Sequence, residues 1–369
     1  MTTIFSFFSG SGFLDLGFEK KGFEIGLVNE INKDFTDAYI YSRKVMKLKE
    51  PKYGYLIKSI DDLNEPSQLS AIKSMVDKEK LLGYSVGFIG GPPCPDFSIA
   101  GKNKGQEGDN GRLSQSYVNL ICKIKPTFFL FENVKGLWKN TKHRKFFEEL
   151  KKQLAGSGYM MTEKLINSIE YGVAQDRDRI ILFGILSDKL AGDMSDKKLD
   201  KMFDWDLNTK YPNRSAFEFN WPNTSGDSSF PTKANSGVPK ELTIDYWFKK
   251  NLVDTHPNSR DVFKAKAGLT KFMTVLEGDV SKKSYKRLHR FRYSPTAAYG
   301  NNEVHIHPTQ PHRITVSQAL AIQSMPKEFC LPPEMTLTNK FKTIGNGVPY
   351  LAAYGLAETI DRFLKKYVI

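Results

Sequence analysis

The chain has 369 residues, of which 40% are hydrophobic and 26% charged, and this composition suits one large or two ordinary soluble domains. Its formal net charge of +13 favours a polyanionic partner, nucleic acid first, although a basic surface can also serve solubility alone. No apolar run is long enough for a membrane span, and the three cysteines form no C-x-x-C pair, which argues against a disulfide framework or a zinc site. We therefore expect a cytoplasmic protein without a membrane segment or a metal ion.

The first half of the chain alternates strand and helix patterns. Strands are predicted for "TIFSFF" from Thr3, "EIGLVNE" from Glu24, "YSVGFIGG" from Tyr84, "TFFLFEN" from Thr127 and "RIILFGI" from Arg179. Helices are predicted between them, the first running through "FLDLGFEKKG" to a stop at Gly22. This alternation predicts a mostly parallel α/β sheet, with ligands bound at the carboxyl ends of its strands.

Beyond Leu186 the pattern becomes irregular, and residues 208–239 are rich in Pro, Ser, Asn and Gly. Trp205, Trp221 and Trp247 are available to form a core there, so we expect a second, smaller domain rather than a linker. The predicted boundaries are 1–186 for the first domain, 187–340 for the second, and 341–369 for a C-terminal segment that returns to the first.

A glycine-rich turn, "FFSGSGF", follows the first predicted strand and lacks both the G-x-G-x-x-G and the G-x-x-x-x-G-K-[ST] patterns. Small residues there let the backbone approach a ligand, and a helix N-terminus favours a polar or anionic group. Glu30 ends the next strand, where a carboxylate can accept hydrogen bonds from ribose hydroxyls. The alternative is a tight turn beside a surface glutamate.

Cys94 lies in "GGPPCPDFS", with prolines on both sides that restrict the backbone and remove amide donors. Such a thiol is held for reaction rather than for packing, although a small buried side chain is the usual role of a free cysteine. We expect Cys122 and Cys330 to be packing residues.

Two further motifs place charged side chains beside predicted strands. Glu132 in "FENVKG" ends an apolar strand, where it can serve as a proton donor or form a salt bridge. The segment "QDRDRI" is predicted to place three side chains on one strand face as a clamp for an anion or a base: Gln175, Arg177 and Arg179. The segment "TIGNGVP" predicts a Gly-Asn-Gly turn that leads into a helix.

In combination and order, these motifs resemble the DNA cytosine-5 methyltransferases, most closely the bacterial restriction–modification enzymes. The segments that carry the resemblance are "FFSGSG", "GGPPC" with "FS", "ENV", "QDRDR", "HRITVSQALAIQSMP" and "GNGVP". They extend from Phe5 to about Pro349, with a gap at about 187–281. The resemblance implies a Rossmann-like sheet that binds S-adenosylmethionine and an irregular target recognition domain, which includes the ninth-motif segment 312–326.

The resemblance also implies a role for each motif. Cys94 corresponds to the nucleophile and Glu132 to the acid that engages N3 of cytosine, while Arg177 and Arg179 help hold the base and the active-site loop. The loop 98–111 corresponds to the segment that closes over DNA. The residues implied to bind the cofactor are Phe8, Gly10, Ser11, Gly12, Phe13, Glu30, Ile31, Ile60, Pro92, Asn346 and Val348.

The chain departs from the family pattern at three positions. Pro95 replaces the glutamine that usually follows the nucleophile, and we expect chemistry to survive with altered loop or DNA contacts. Ser59 stands before Ile60 where an acidic residue is common, so adenine recognition is weaker or falls to Asp61. Gln318 replaces a common glutamate, and we expect its helix to be structural.

The implied reaction transfers a methyl group to C5 of a flipped-out cytosine through a covalent cysteine adduct, as the modification step of a restriction–modification system. The implied partner is double-stranded DNA, bound by a monomer, with any cognate restriction endonuclease acting separately. Two alternatives share the fold: an RNA cytosine-5 methyltransferase and a catalytically silent DNA-binding protein. The retained Cys94 and Glu132 argue against the silent protein, and the long basic middle region favours DNA.

The segment 264–292 carries nine Lys and Arg against two acidic residues, a net charge of +7. We expect this segment to contact the DNA backbone, because lysine and arginine supply the sequence-independent part of DNA binding. The alternative is a solvated basic face.

We expect Cys94→Ser to lose methyl transfer but to retain DNA binding, because an unactivated hydroxyl is a far poorer nucleophile than a thiolate. Transfer of labelled methyl groups to DNA and a gel-shift assay measure the two properties separately. Activity within about tenfold of the parent would contradict the assignment of Cys94 as nucleophile.

Overall fold

The structure is a computed structural model that describes residues 1–93, 109–190, 196–224, 235–264, 268–296, 299 and 303–368. Cys94, Pro95 and most of the loop 98–111 lie outside the described residues, and the last part of that loop, 109–111, begins a helix. No helix in the described ranges is both long enough and apolar enough to cross a bilayer.

A seven-stranded sheet forms the centre of the protein, in the order β3-β2-β1-β4-β5-β7-β6. Its strands are β1 (Thr2–Phe7), β2 (Glu24–Asn29), β3 (Tyr55–Leu56), β4 (Ser85–Gly90), β5 (Phe128–Val134), β6 (Tyr159–Asn167) and β7 (Asp178–Leu186). All five predicted strands are present, and the sequence analysis missed the two-residue β3 and the edge strand β6. The predicted α/β class is confirmed.

One strand runs against the others, since β7 pairs antiparallel with both β5 and β6. In this register Arg179 at the start of β7 lies opposite Val134 at the end of β5, and Glu132 lies opposite Ile181. The first residues of β7 therefore lie at the same edge of the sheet as the carboxyl ends of the parallel strands.

Helices cover both faces of the sheet. In chain order, the α-helices of the described residues, including those away from the sheet, are α1 (Phe13–Lys21), α2 (Lys33–Val45), α3 (Pro66–Leu81), α4 (Asp109–Ile124), α5 (Lys135–Lys139), α6 (Thr141–Gly156), α7 (Asp196–Met202), α8 (Ile244–Lys250), α9 (Leu269–Thr274), α10 (Val316–Ile322), α11 (Leu337–Asn346) and α12 (Tyr350–Tyr367). As predicted, α1 ends at Gly22, whose φ of 107° is left-handed.

The core has two main layers, one on each face of the sheet. Phe88 and Phe129 pack on one face with residues of α3, α4 and α6. Phe128 and Phe183 pack on the other face with residues of α1 and α12. The C-terminal helix thus packs beside the first helix of the chain, and the strand ends between these layers remain open for a ligand.

The region beyond β7 has little regular structure, as expected. Besides short helices, it contains a two-stranded ribbon of β8 (Lys286–Arg287) and β9 (His305–Ile306). Trp221 packs with Ala216 and Tyr293, and Trp247 packs with Ala321. The expectation is wrong for Trp205, which packs on Phe203 against the main sheet and donates a 3.0 Å hydrogen bond to Thr162 of β6.

Candidate active site

A cavity of about 720 Å³ lies at the carboxyl ends of the parallel strands. Among the described residues that were predicted for cofactor binding and catalysis, all except Gly12 line it. Cys94 lies outside the described residues, but Pro92 and Pro93, which lead to it, line the same cavity. The structure therefore brings together motifs that are up to 340 residues apart in the chain.

The glycine-rich turn adopts left-handed backbone at Phe8, Gly10 and Gly12, with φ of 53°, 55° and 83°. Gly12 is the one predicted cofactor residue among those described that does not line the cavity. A Cβ at Gly12 would lie 2.6 Å from the ring of Tyr39. Packing beneath the turn therefore requires glycine at position 12, independently of any contact with a ligand.

Glu30 lies beneath the turn and joins it to the second strand. Its carboxylate accepts hydrogen bonds from the backbone amides of Gly10 and Asn32, both at 2.9 Å, and burial raises its pKa. Ile31 next to it is 64% exposed at the cavity rim, while Ile60 on the neighbouring loop is buried. A carboxylate and two apolar side chains that line one cavity suit a ligand in which a sugar carries a planar aromatic ring.

A buried network supports the turn from below, and sequence analysis missed it. The Asp15 carboxylate accepts hydrogen bonds from the hydroxyls of Ser6 (2.7 Å) and Tyr39 (2.9 Å). Arg43 donates to the Tyr39 hydroxyl at 2.7 Å. Burial raises the pKa of Asp15. The network fixes Tyr39 against Gly12 and so fixes the start of α1.

The predicted Gly-Asn-Gly turn is instead the end of a helix, because Gly345 and Asn346 are the last residues of α11. Thr343 in the same helix makes a 2.8 Å hydroxyl–hydroxyl hydrogen bond with Ser11. A Cβ at Gly347 would lie 2.7 Å from the ring of Phe13, so only glycine allows this approach. The end of α11 therefore forms the wall opposite the glycine-rich turn.

Glu132 and Arg179 form an ion pair in which Arg179 Nε lies 2.7 Å from Glu132 Oε1. Glu132 is 7% exposed, and its other carboxyl oxygen faces Gly91, where an added Cβ would lie only 2.5 Å away. Asn133 donates a 3.3 Å hydrogen bond to the carbonyl of Pro92. The end of β5 is thus held against the backbone that leads to Cys94.

Arg177 is fully buried, and its Nη2 donates to the carbonyl of Gly345 at 2.8 Å. Burial and the neighbouring Arg179 lower the pKa of Arg177. The expectation that Gln175, Arg177 and Arg179 share one strand face is wrong, since β7 begins only at Asp178. Gln175 is buried outside the cavity and pairs with Ser294.

The alternative that Asp61 replaces the usual acidic residue is not supported. Its carboxylate is bound to Arg112 and Ser116 of α4, and it does not line the cavity. Ser59 and Lys58 line the cavity there instead. Asp61 therefore attaches the start of α4 to the cofactor side of the sheet. Gln318 forms a capping box with Thr315 at the start of α10, which agrees with a structural role.

Several cavity residues were missed by sequence analysis. Lys342 directly precedes the segment "TIGNGVP" and Thr343 begins it, but neither was named as a candidate site residue. Leu113 on α4 and Thr296 between β8 and β9 carry no local sequence signal. Within the described residues, no group of three or more His, Cys, Asp or Glu side chains could hold a metal ion.

The basic segment 264–292 is less exposed than its composition indicates. Arg287 is buried and donates to the backbone carbonyls of Val275 and His307, and Arg290 pairs with the buried Glu277. The described lysines that are exposed in this segment are Lys264, Lys271, Lys282 and Lys283. These lysines remain the candidates for contact with DNA phosphates.

The family model for C-5 cytosine-specific DNA methylases matches residues 2–362. The chain belongs to this family. It is 58% identical over 366 residues to the Type II methyltransferase M.NmeDI of Neisseria meningitidis serogroup C, covering 99% of this chain and 85% of that protein. It is 28% identical over 376 residues to the Type II methyltransferase M.NgoPII of Neisseria gonorrhoeae, covering 98% and 96%.

Two solved structures confirm the fold of this DNA methylase. One, from E. coli, is described as a DNA modification methyltransferase encoded within a prophage; its TM-score is 0.67 at 22% identity, over 99% of this chain and 100% of that chain. The other is the Dnmt2 methyltransferase of S. pombe, with a TM-score of 0.62 at 11% identity, over 98% of each chain. The enzyme is accordingly a DNA (cytosine-5-)-methyltransferase with the Rossmann-like sheet of the family.

We expect Glu30→Gln to weaken binding of S-adenosylmethionine about tenfold or more, because hydrogen bonds to a charged acceptor contribute about 1.5–3 kcal/mol. The affinity of the unmodified enzyme for S-adenosylmethionine should also fall as the pH is lowered through the raised pKa of Glu30, since the protonated carboxyl is a weaker acceptor. This decline should be absent in Glu30→Gln. Titration calorimetry at several pH values measures both effects. Glu50→Gln, which is exposed and outside the cavity, is the matched control.

Proposed function

We propose that the enzyme transfers a methyl group from S-adenosylmethionine to C5 of a cytosine that is flipped out of double-stranded DNA, through a covalent adduct with Cys94. The observation that carries this proposal is the Glu132–Arg179 pair. It lies against Gly91 and Pro92, two to three residues before Cys94, at the cavity that also contains the glycine-rich turn.

The residues on the cofactor side of the cavity fit S-adenosylmethionine. Glu30 would accept the ribose hydroxyls, and Ile31 and Ile60 would lie against the adenine ring. The first amides of α1 have no side-chain cap, so the helix N-terminus is available to the methionine carboxylate. The cofactor, when bound, supplies an electrophilic methyl group on a sulfonium. Phe8, Gly10, Ser11, Phe13, Pro92, Asn346 and Val348 would complete the site.

The protein residues carry out the addition and elimination that make C5 reactive. The Cys94 thiolate attacks C6 of the cytosine, and the electron pair of the C5–C6 double bond becomes available at C5. In the complex with the base, the Glu132 oxygen that faces Gly91 carries a proton and donates it in a hydrogen bond to N3, which withdraws electrons from the ring. After C5 has accepted the methyl group, a water molecule takes up the C5 proton, the electrons of the C–H bond restore the C5–C6 double bond, and the C6–S bond breaks to release the Cys94 thiolate.

Arg179 holds the Glu132 carboxyl in position for this role. A buried ion pair costs desolvation free energy that only good geometry returns, so each partner fixes the other. The second Glu132 oxygen, which faces Gly91, is then directed toward the segment that approaches the base. A base must leave the duplex to reach this depth, because both charged groups are largely buried.

We propose double-stranded DNA rather than RNA as the substrate, with residues 187–340 as the target recognition domain. The 58% identity to a Type II methyltransferase favours a modification enzyme. We propose that it works as a monomer in the cytoplasm, separately from any cognate endonuclease. Sequencing of host DNA for 5-methylcytosine would identify the recognition site. Methylation found in RNA alone would favour the alternative.

A 5-fluorocytosine at the target position should trap the enzyme on DNA, because the C–F bond cannot break in the elimination step as the C–H bond does. The adduct should require S-adenosylmethionine for efficient formation and should be absent in Cys94→Ser. Glu132→Gln should form it much more slowly, because the ring loses its acid at N3. Mass spectrometry of the digested complex should identify a Cys94 peptide linked to the methylated, fluorinated base.

Two outcomes of this experiment contradict the mechanism. A normal yield of adduct from Cys94→Ser would indicate a different nucleophile. No adduct from an enzyme that is active on the same duplex with ordinary cytosine would show that the reaction does not pass through a cysteine adduct.

The exposed lysines of the segment 264–292 should contribute to DNA binding at all sequences. Replacing Lys282 and Lys283 by Gln should weaken binding and flatten the dependence of log affinity on log salt by up to about two units, because two fewer counterions are released. Lys73→Gln with Lys78→Gln on α3 is the charge-matched control. A slope equal to that of the parent would exclude Lys282 and Lys283 from the interface.

A further inference from the structure

The carbonyls at the end of α11 are bound from two distant parts of the chain. The last four carbonyls of a helix have no partner within it and must find one elsewhere when buried. The amide of Gly347 donates to Thr343 O at 3.0 Å, and Gln323 Nε2 donates to Ile344 O at 2.7 Å. Arg177 Nη2 donates to Gly345 O at 2.8 Å and approaches Asn346 O at 3.4 Å.

This helix end is also tied to the cofactor side of the cavity. Thr343 is hydrogen-bonded to Ser11 of the glycine-rich turn, and Gly347 packs directly on the ring of Phe13. Asn346 and Val348 line the cavity itself. Any ligand that fixes the glycine-rich turn therefore also fixes the end of α11.

The Arg177 backbone is fixed at the end of β6, two residues before the arginine that pairs with Glu132. Its amide donates to Asn167 Oδ1 at 3.2 Å, and its carbonyl accepts from the amide of Ser168 at 2.9 Å. Two residues later, Arg179 pairs with Glu132. The Arg177 side chain and backbone thus join two parts of the cavity that sequence alone assigns to different tasks.

We propose, on the basis of the function proposed above, that Arg177 is a positioning residue that couples cofactor binding to the Glu132–Arg179 pair. Its guanidinium is fully buried, and a buried charge is costly unless it is hydrogen-bonded. The negative end of the α11 dipole and two carbonyl oxygens compensate this charge. If the helix end moves, Arg177 must move with its acceptors, and Arg179 follows.

This role differs from holding the base and the active-site loop, which the resemblance implied for both arginines. It predicts a thermodynamic coupling: the cofactor should tighten binding of the target base, and the target base should tighten binding of the cofactor by the same factor. Coupling of this kind is commonly about 5–150-fold. Removing Arg177 should abolish the coupling without abolishing either binding event.

The test measures the dissociation constant of a duplex containing the enzyme's methylation site, with and without saturating S-adenosylhomocysteine. The unreactive product analogue prevents turnover during the measurement. We expect the dissociation constant of the parent for the duplex to be about fivefold or more lower with the analogue than without it. For Arg177→Met, the ratio of these two dissociation constants should be close to one. Arg177→Lys should also lower the ratio, because an ammonium cannot reproduce the planar guanidinium contact with two carbonyls.

Gln323→Met is the matched control, because it removes the other side chain that donates to the end of α11 but has no link to Arg179. It should weaken binding of S-adenosylhomocysteine while the ratio at saturation stays at the parental value. Thermal melting followed by circular dichroism checks that each variant is folded. If Arg177→Met does not fold, Arg177→Lys, which retains the charge, decides the question.

Three outcomes would overturn the coupling role: a parental ratio of one, an unchanged ratio in the folded Arg177 variants, or an equal loss of coupling in Gln323→Met. The last would mean that any loosening of the helix end has the same effect. Failure of the proposed function is detected separately, since the parent would then transfer no methyl group from labelled S-adenosylmethionine to the duplex.

Discussion

The ion pair between Glu132 and Arg179 is the interaction on which the arrangement of the catalytic side depends. Both side chains are largely buried, and a buried charge is costly without a partner, so the pair requires the end of β5 and the start of β7 to meet. Only the antiparallel direction of β7 allows this, because a parallel β7 would begin at the opposite edge of the sheet. The reversed strand β7 thus places Arg179 at the edge of the sheet where the parallel strands end.

The cofactor side of the cavity is built on the same physical principle. Buried polar atoms there are satisfied by hydrogen bonds between side chains and backbone groups: Glu30 accepts from two amides, and the carbonyls at the end of α11 accept from Gln323 and Arg177. Such hydrogen bonds hold the joined segments in fixed relative positions, because a buried donor that loses its acceptor incurs a desolvation penalty. The two halves of the cavity are therefore joined by hydrogen bonds rather than by packing alone.

The sequence predicted five of the seven strands of the sheet, the stop of α1 and the cavity residues that lie in motifs such as "FFSGSG" and "GNGVP", since these depend on local periodicity and turn chemistry. It did not predict what depends on contacts distant in the chain. The need for glycine at position 12 depends on the ring of Tyr39, the buried Asp15 depends on a hydrogen bond from Ser6, and the location of Trp205 depends on β6. The direction of β7 is set by pairing, which alternating hydrophobicity does not encode.

Net charge illustrates the same limit for the DNA-binding surface. A count of +13 indicates a polyanionic partner but does not locate the surface that binds it. Arg43, Arg177 and Arg287 are all buried, and each uses its guanidinium to bond oxygens inside the fold. Arginine suits this internal use because its planar fork reaches several acceptors at once. The charge available to phosphates therefore rests mainly with lysines, whose single flexible ammonium is readily held at the surface.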